Sequence, residues 1–225
     1  MAASTGALTR ERGRLERSFL RAGLSLAGVD EVGRGCLAGP VHAGCAMLDW
    51  VKFRRLPSKK RLLIRDSKQL TAKQRGELIP LLLDLCTVWQ VASATAVEID
   101  DLGIVAATFL AMRRAIAACN RPIDMLLIDG KWPIPHYGGQ QQAVIKGDFL
   151  CYSIAAASIL AKEVRDSFMQ EQAGLFPAYG FESHVGYGTK RHLAMIERNG
   201  ICPLHRISFV PIKSYACTYT PTSLR

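Results

Sequence analysis

A chain of 225 residues that is 49% hydrophobic and 21% charged can bury a core of its own, and its composition argues against disorder. No apolar run approaches the ~20 residues needed to span a bilayer, so no membrane association is expected. The 29 Lys and Arg against 19 Asp and Glu leave a formal charge of +10, which suits a polyanionic partner such as nucleic acid.

Taken in order, residues 9–20 are expected to form a short charged helix, the core of a lead-in covering 1–23. Residues 24–29 and 41–48 read as strands, joined through the glycine-rich turn Gly33-Arg34-Gly35. Residues 52–66 are basic and Pro-containing, which predicts an exposed loop. A helix is expected over 70–85, with Thr71 as its cap and a kink at Pro80. A strand over 87–97 and a long helix over 98–119 follow. Residues 125–128 have buried-strand length and end in Asp129-Gly130. After a strand at 143–146 comes the strongest helical pattern, 149–172, and then a helix near 190–198. Residues 214–225 match no motif and are expected to be a flexible tail. The pattern as a whole is α/β with a central sheet, one domain over 24–213 carrying a small helical part at its C-terminal end.

Cys36, Cys45, Cys86, Cys119, Cys151, Cys202 and Cys217 are odd in number, scattered, and contain no Cys-x-x-Cys pair. They read as buried free thiols in a reducing cytoplasm, not as a disulfide framework or zinc site. The first twenty residues lack a secretory core, and Glu11 and Glu16 argue against a transit peptide, so a cytoplasmic location is expected.

The chemistry gathers at strand ends. Neighbours in a regular strand point to opposite faces, so Asp30 and Glu31 can share a site only where the strand gives out. Asp129 follows a buried run, where a carboxylate is costly unless it is paired or metal-bound. Asp148 precedes the long helix, where an N-cap is the plain structural alternative. Grouped, the four would form a cluster of hard oxygen donors suited to Mg²⁺ or Mn²⁺. Two such ions ~4 Å apart could activate a water and stabilise a leaving oxygen in phosphodiester hydrolysis. Spacing suggests that grouping without establishing it.

Several strings, in order, resemble the signature of the ribonuclease HII family: GVDEVGRG at 28–35, LAGPV at 37–41, DSK at 66–68, IDG at 128–130 and KGD at 146–148. They continue with AAASILAK at 155–162, RD at 165–166, GYGT at 186–189 and HR at 205–206, so the match spans roughly 27–211. Val32 stands where the family more often has Ala, and Cys36 and Gln69 fill variable positions.

The resemblance implies an RNase H-like fold with a mixed central sheet flanked by helices and a C-terminal helical extension. It implies that Asp30, Glu31, Asp129 and Asp148 are the catalytic, metal-binding carboxylates. Gly33, Arg34 and Gly35 would read a ribonucleotide's 2′-hydroxyl, a group that both donates and accepts. Tyr187 would pack on the adjoining deoxyribose. Lys68, Lys146, Lys162 and Arg165 are expected to contact the phosphate backbone, the last two from one helix face. His184, His192 and His205 lack a compact ligand motif and are expected to be structural or to contact phosphate, not to bind metal.

The implied activity is hydrolysis of RNA in RNA–DNA hybrids and 5′ of ribonucleotides embedded in duplex DNA, leaving 3′-hydroxyl and 5′-phosphate ends, by a monomer acting in ribonucleotide excision repair. Two readings compete with it. A silent hybrid-binding module is disfavoured because four carboxylates would repel a polyanion unless metals were recruited. An RNase H-fold nuclease of another substrate class is disfavoured by the GRG and GYGT elements. The related ribonuclease HIII class is disfavoured because the chain lacks room for its extra N-terminal domain.

Overall fold

Residues 12–65 and 67–218 are described in the computed structural model, Lys68 and residues 216–218 through their backbone alone. Five strands, β1 (Leu26–Val32), β2 (Val41–Leu48), β3 (Cys86–Ala94), β4 (Met125–Asp129) and β5 (Gln141–Val144), form one sheet in the order β3-β2-β1-β4-β5. β1 and β3 run antiparallel to β2, and β4 runs parallel to both β1 and β5. The sheet is therefore mixed. The helices in chain order are α1 (Arg14–Arg21), α2 (Trp50–Arg55), α3 (Ser58–Arg61), α4 (Ala72–Leu85), α5 (Ala96–Leu102), α6 (Ile104–Ala118), α7 (Gly147–Leu150), α8 (Tyr152–Leu175), α9 (Phe181–His184), α10 (Lys190–Asn199) and α11 (Ile212–Thr218).

The two-residue period of the strands splits the core into layers. Ala27, Val29, Cys45, Leu126 and Ile128 pack against Ala107, Ala111 and Met112 of α6. Ala46 and Leu48 face the other way, onto Ala156 and Leu160 of α8 and Leu82 of α4. Small residues let α8 lie almost on the backbone of the sheet. A Cβ at Gly28 would sit 2.2 Å from the Ser153 carbonyl carbon, and one at Gly44 2.4 Å from the Ala157 oxygen. A third cluster, with Leu37, Met169, Phe181, Ile196 and Ile212, joins α8 to the C-terminal helices.

Several expectations are revised. The stretch 52–66 is not a plain loop: Asp49 caps α2 through the Val51 and Lys52 amides, and Phe53 and Ile64 are buried. Asp66 lies outside the described residues. The helix expected over 98–119 is two, broken at Gly103 (φ +77°), and the first starts early because Thr95 and Glu98 form a capping box. Helix α4 continues through Pro80. The strongest helical segment is also divided, at Cys151, because the buried Glu16 carboxylate of α1 caps α8. It accepts from the Tyr152 amide (2.9 Å), the Ser153 amide (2.7 Å) and the Ser153 hydroxyl (2.7 Å). Helix α1 is thus built into the domain. At the other end the expected tail begins inside α11, anchored by buried Ile212, and 219–225 lie outside the described residues. Among the described residues no helix is long and apolar enough to cross a membrane.

Candidate active site

Strand β1 does not stop before the acidic pair. Asp30 and Glu31 are both inside it, opposite Gly44 and Ala43 of β2. What gives out is the other ladder: pairing with β4 ends at Val29 and Ile128. Beyond Val29 one edge of β1 is open, so carboxylates from both faces of the strand stand at the carboxyl end of the parallel pair β1–β4. That is where ligands gather in open α/β sheets.

Asp30 lies on the α8 face and is 5% exposed. It accepts from the Glu31 amide (2.7 Å) and from the Ser158 side chain. The Ser158 hydroxyl lies 3.0 Å from that of Ser67, so DSK and AAASILAK meet behind the first carboxylate. Glu31 lies on the opposite face, pairs with Arg34 (3.2 Å), and shares a cleft of about 130 Å³ with Asp129, Arg34 and Trp132. Asp129 Oδ1 accepts from the amides of Gly147 (2.7 Å) and Asp148 (3.3 Å). Asp148 is therefore not the cap of the long helix. It sits in the first turn of α7, which follows Lys146 in the left-handed region (φ +58°).

Burial, and then the charges of Glu31, Asp129 and Asp148, push the Asp30 carboxyl well above the ordinary range, against the Ser158 hydrogen bond. Four carboxylates therefore act on one another at this end of the sheet. Among the described residues no three His, Cys, Asp or Glu side chains close to the spacing that holds a metal ion. Asp30, Glu31 and Asp129 are instead tied to protein donors. The donor set nonetheless fits a hard divalent cation: all oxygen, and mutually repelling in a way that a cation would relieve.

The GRG turn is held from beneath. Arg206, fully buried, donates to the carbonyls of Gly33 (2.7 Å), Arg34 (2.8 Å) and Gly39 (2.9 Å). Gly33 has φ +87°, and a Cβ there would meet Arg165 Nε at 2.1 Å. Only glycine serves at that position. With two carbonyls turned inward, Arg34 and Gly35 are left exposed. Tyr187, 39% exposed, stands beside this turn: its side chain bonds Cys36, and Lys162 Nζ lies 5.6 Å from its ring centre. The Leu37 amide donates to Gly186 at 2.8 Å, joining the two loops through their backbones.

The expected phosphate contacts fare unevenly. Arg165 is fully buried and donates to the carbonyls of Pro40 (3.2 Å), Ala38 (3.2 Å) and Val185 (2.9 Å). It frames the site, and the expectation that it reaches a phosphate is corrected. Lys162 is half-buried and paired with Asp166 at 2.6 Å. Lys146 is exposed, and the Lys68 side chain lies outside the described residues. His184, His192 and His205 are buried in a ring cluster with Tyr179 and Phe181, a structural role and not a phosphate contact. Sequence reading gave no role to Ser67, Ser158 or Arg206, although all three lie within the quoted motifs.

The family model described as Ribonuclease HII matches residues 27–212. The ribonuclease HII of Prochlorococcus marinus (strain MIT 9313) is 46% identical over 186 residues, 83% of this chain and 84% of that protein. That of Bordetella pertussis (strain Tohama I) is 45% identical over 190 residues, 84% and 90% of the two chains. Among solved structures, the ribonuclease H2 from Pyrococcus horikoshii OT3 superposes with a TM-score of 0.70 at 24% identity, covering 87% of this chain and 98% of that one. Bst-RNase HIII in complex with Mn²⁺ gives 0.66 at 18% identity, covering 87% and 70%, a likeness of fold. The chain is a ribonuclease H-type endonuclease and belongs to the ribonuclease HII family.

Proposed function

We propose that this enzyme hydrolyses the RNA strand of RNA–DNA hybrids and cuts 5′ of single ribonucleotides embedded in duplex DNA, leaving 3′-hydroxyl and 5′-phosphate ends. One observation carries the reading: Asp30 and Glu31 run directly into a Gly-Arg-Gly turn whose inner carbonyls are fixed by Arg206 and whose outer side is open. Chemistry and 2′-hydroxyl reading then share one strand and turn.

Asp30, Glu31, Asp129 and Asp148 would hold the cations, Mg²⁺ or Mn²⁺ by their oxygen-only donor set. When bound, such ions lower the pKa of an attacking water and stabilise the leaving oxygen. The chain's own residues prepare that site. Ser158 and the Glu31 amide fix the Asp30 carboxylate, and the Gly147 amide fixes Asp129. Arg34, released from Glu31, can fork onto a phosphate beside the sugar that exposed Gly35 admits and that the backbone of the Gly33–Gly35 turn reads. Tyr187 offers an exposed ring face to the next deoxyribose, with Lys162 and Lys146 near the strand and Lys68 as a further contact. Residues 24–213 are read as the catalytic domain, 1–23 as its lead-in and 214–225 as an appendage. Action as a monomer in the cytoplasm belongs to the same reading, in line with the described cysteines being free.

The test is a labelled DNA duplex containing one ribonucleotide, incubated with Mg²⁺ or Mn²⁺, then with excess chelator, then with Asp129→Asn. Cutting at the DNA–RNA junction is expected in the first case and loss of cutting in the other two. Equal cutting of an all-DNA duplex would sink the reading.

A further inference from the structure

Away from the carboxylates, α1, α2, α3 and the start of α8 enclose a cleft of about 350 Å³ whose lining includes Arg17, Arg21, Arg54 and Arg61, with Trp50 and Tyr152 as aromatic walls. None of the described residues lining it is acidic. Among the described residues, none of these four guanidinium groups forms an ion pair. Arg17 donates to the Arg12 carbonyl (3.1 Å), and Arg61 to the Ser58 hydroxyl (3.2 Å). Behind the wall lies a fifth guanidinium, that of buried Arg12, 4.5 Å from the Tyr152 ring centre. Glu16, the acid of α1 on this side, is buried and bonded to the α8 amides, and its charge acts on Arg12 alone among the five.

Four like charges around one concavity repel one another. A cleft also focuses their field, so the arrangement is favourable only toward an anion. Guanidinium groups fork onto phosphate, and neighbouring aromatic faces suit the sugars and bases of a strand. Exposed Arg55 belongs to α2, and exposed Lys59 and Lys60 to α3, two of the helices that form the cleft. The cleft is also close to the catalytic end: Tyr152 is four residues from Asp148, at most ~14 Å of chain. Burial lowers the Arg12 guanidinium, and the charges of Tyr152, Glu16, Cys151 and, least, Asp148 oppose it.

We propose that this arginine cleft is a second nucleic-acid contact, gripping the phosphodiester backbone of the substrate to one side of the cut. The proposal rests on the catalytic reading above, but its test does not depend on turnover alone.

Two duplexes each carry one ribonucleotide, one with flanks of ~3 base pairs and one with flanks long enough to cross the cleft, of ~12. They are compared on the full chain and on the Arg17→Ala/Arg54→Ala variant, both positions being exposed. The expected result is a KM about tenfold higher on the long duplex, with kcat unchanged and the short duplex unaffected. The slope of log affinity against log salt should fall by about two. The same long-duplex loss should appear as equilibrium binding by anisotropy in an Asp129→Asn background, so a failure of catalysis and a failure of the cleft are separable. Wild-type KM on the long duplex, or an equal rise on both, overturns the proposal. So does millimolar inorganic phosphate or a mononucleotide that abolishes the long-duplex advantage while leaving the short duplex untouched, since that marks a site for small free anions.

Discussion

His192 and His205 face each other through their Nε2 atoms, 3.1 Å apart, and both rings are buried. The surroundings fix the protons. His192 Nδ1 is 2.9 Å from the Tyr187 carbonyl, which can only accept, so His192 carries its proton there. Its Nε2 must then accept from His205, whose Nδ1 in turn accepts from the Cys202 amide at 2.9 Å. The result is a directed chain ending on the backbone of the residue that we read as packing on the substrate sugar.

That chain works only with both rings neutral, since a proton added at the shared Nε2 contact would set donor against donor. Burial holds both rings down to about 4, from an ordinary 6.5. Between those values the unfolded chain takes up protons that the folded chain refuses. The stability is therefore fully present above about 6.5 and drains away as the pH falls toward 4. Asp30 and Glu16, raised mainly by burial, work in the opposite sense, so the comparison is with His192→Asn, which has no titrating ring. Thermal unfolding midpoints across this range should fall more steeply for the wild type than for the variant. Parallel curves would remove the histidine pair as the cause.

Arg206 forms no ion pair among the described residues, and burial lowers it to about 10 although the charge of Asp100 acts the other way. Its planar fork spans carbonyls of Gly33, Arg34 and Gly39 that a lysine ammonium cannot reach together. Arg206→Lys should cost ~3 kcal/mol or more, because buried carbonyls left unpaired cost ~1–3 kcal/mol each. It should also reduce cutting at a single ribonucleotide more than on a long hybrid, where neighbouring sugars offer further contacts. Denaturant midpoints and paired kinetics check both halves, and a variant of wild-type stability would show that the turn holds itself.

Glu16 makes a comparable argument for α1. Glu16→Ala leaves two α8 amides and the Ser153 hydroxyl without their acceptor, an expected loss of ~2–4 kcal/mol. Glu16→Gln keeps one acceptor oxygen and should cost clearly less. Urea denaturation distinguishes them, and equal effects would mean that the α8 amides find another acceptor.

These residues show where the sequence was legible and where it was not. The grouping of the four carboxylates came from the family resemblance. The existence of the strands, and acidic residues at or near their ends, could be read because apolar period is a local signal. Glu16 and Arg206 could not, because their partners are backbone groups 137 and 173 residues away, and a backbone carbonyl has no letter of its own. Arg165 was misread for the same reason: three apart from Lys162 on a helix, it looks like half of a basic face, yet it points into the protein. The end of β1 was misplaced because a strand can lose one neighbour and keep the other, as at Val29. The small residues at 155–158 were visible as a run. That the run lets α8 approach the sheet required knowing that Gly44 of β2 lies against Ala157.

Ser158 ties the legible part to the illegible one. Its hydroxyl has one proton, which Asp30 takes, so Ser67 must donate in turn across their 3.0 Å contact. Ser158→Ala removes the bond that favours the ionised form of Asp30, while burial and three carboxylates keep pushing the other way. A hydrogen bond to a charged group contributes ~1.5–3 kcal/mol, so kcat/KM near neutrality should fall about tenfold or more. The acid limb of the pH–rate profile should move to higher pH, with activity partly restored in alkaline buffer. More Mg²⁺ should also be needed for half-maximal rate, because the cation must compete with a proton at Asp30. If the rate falls without any movement of the limb or of the Mg²⁺ requirement, Ser158 packs the sheet against α8 and does not tune the carboxylate.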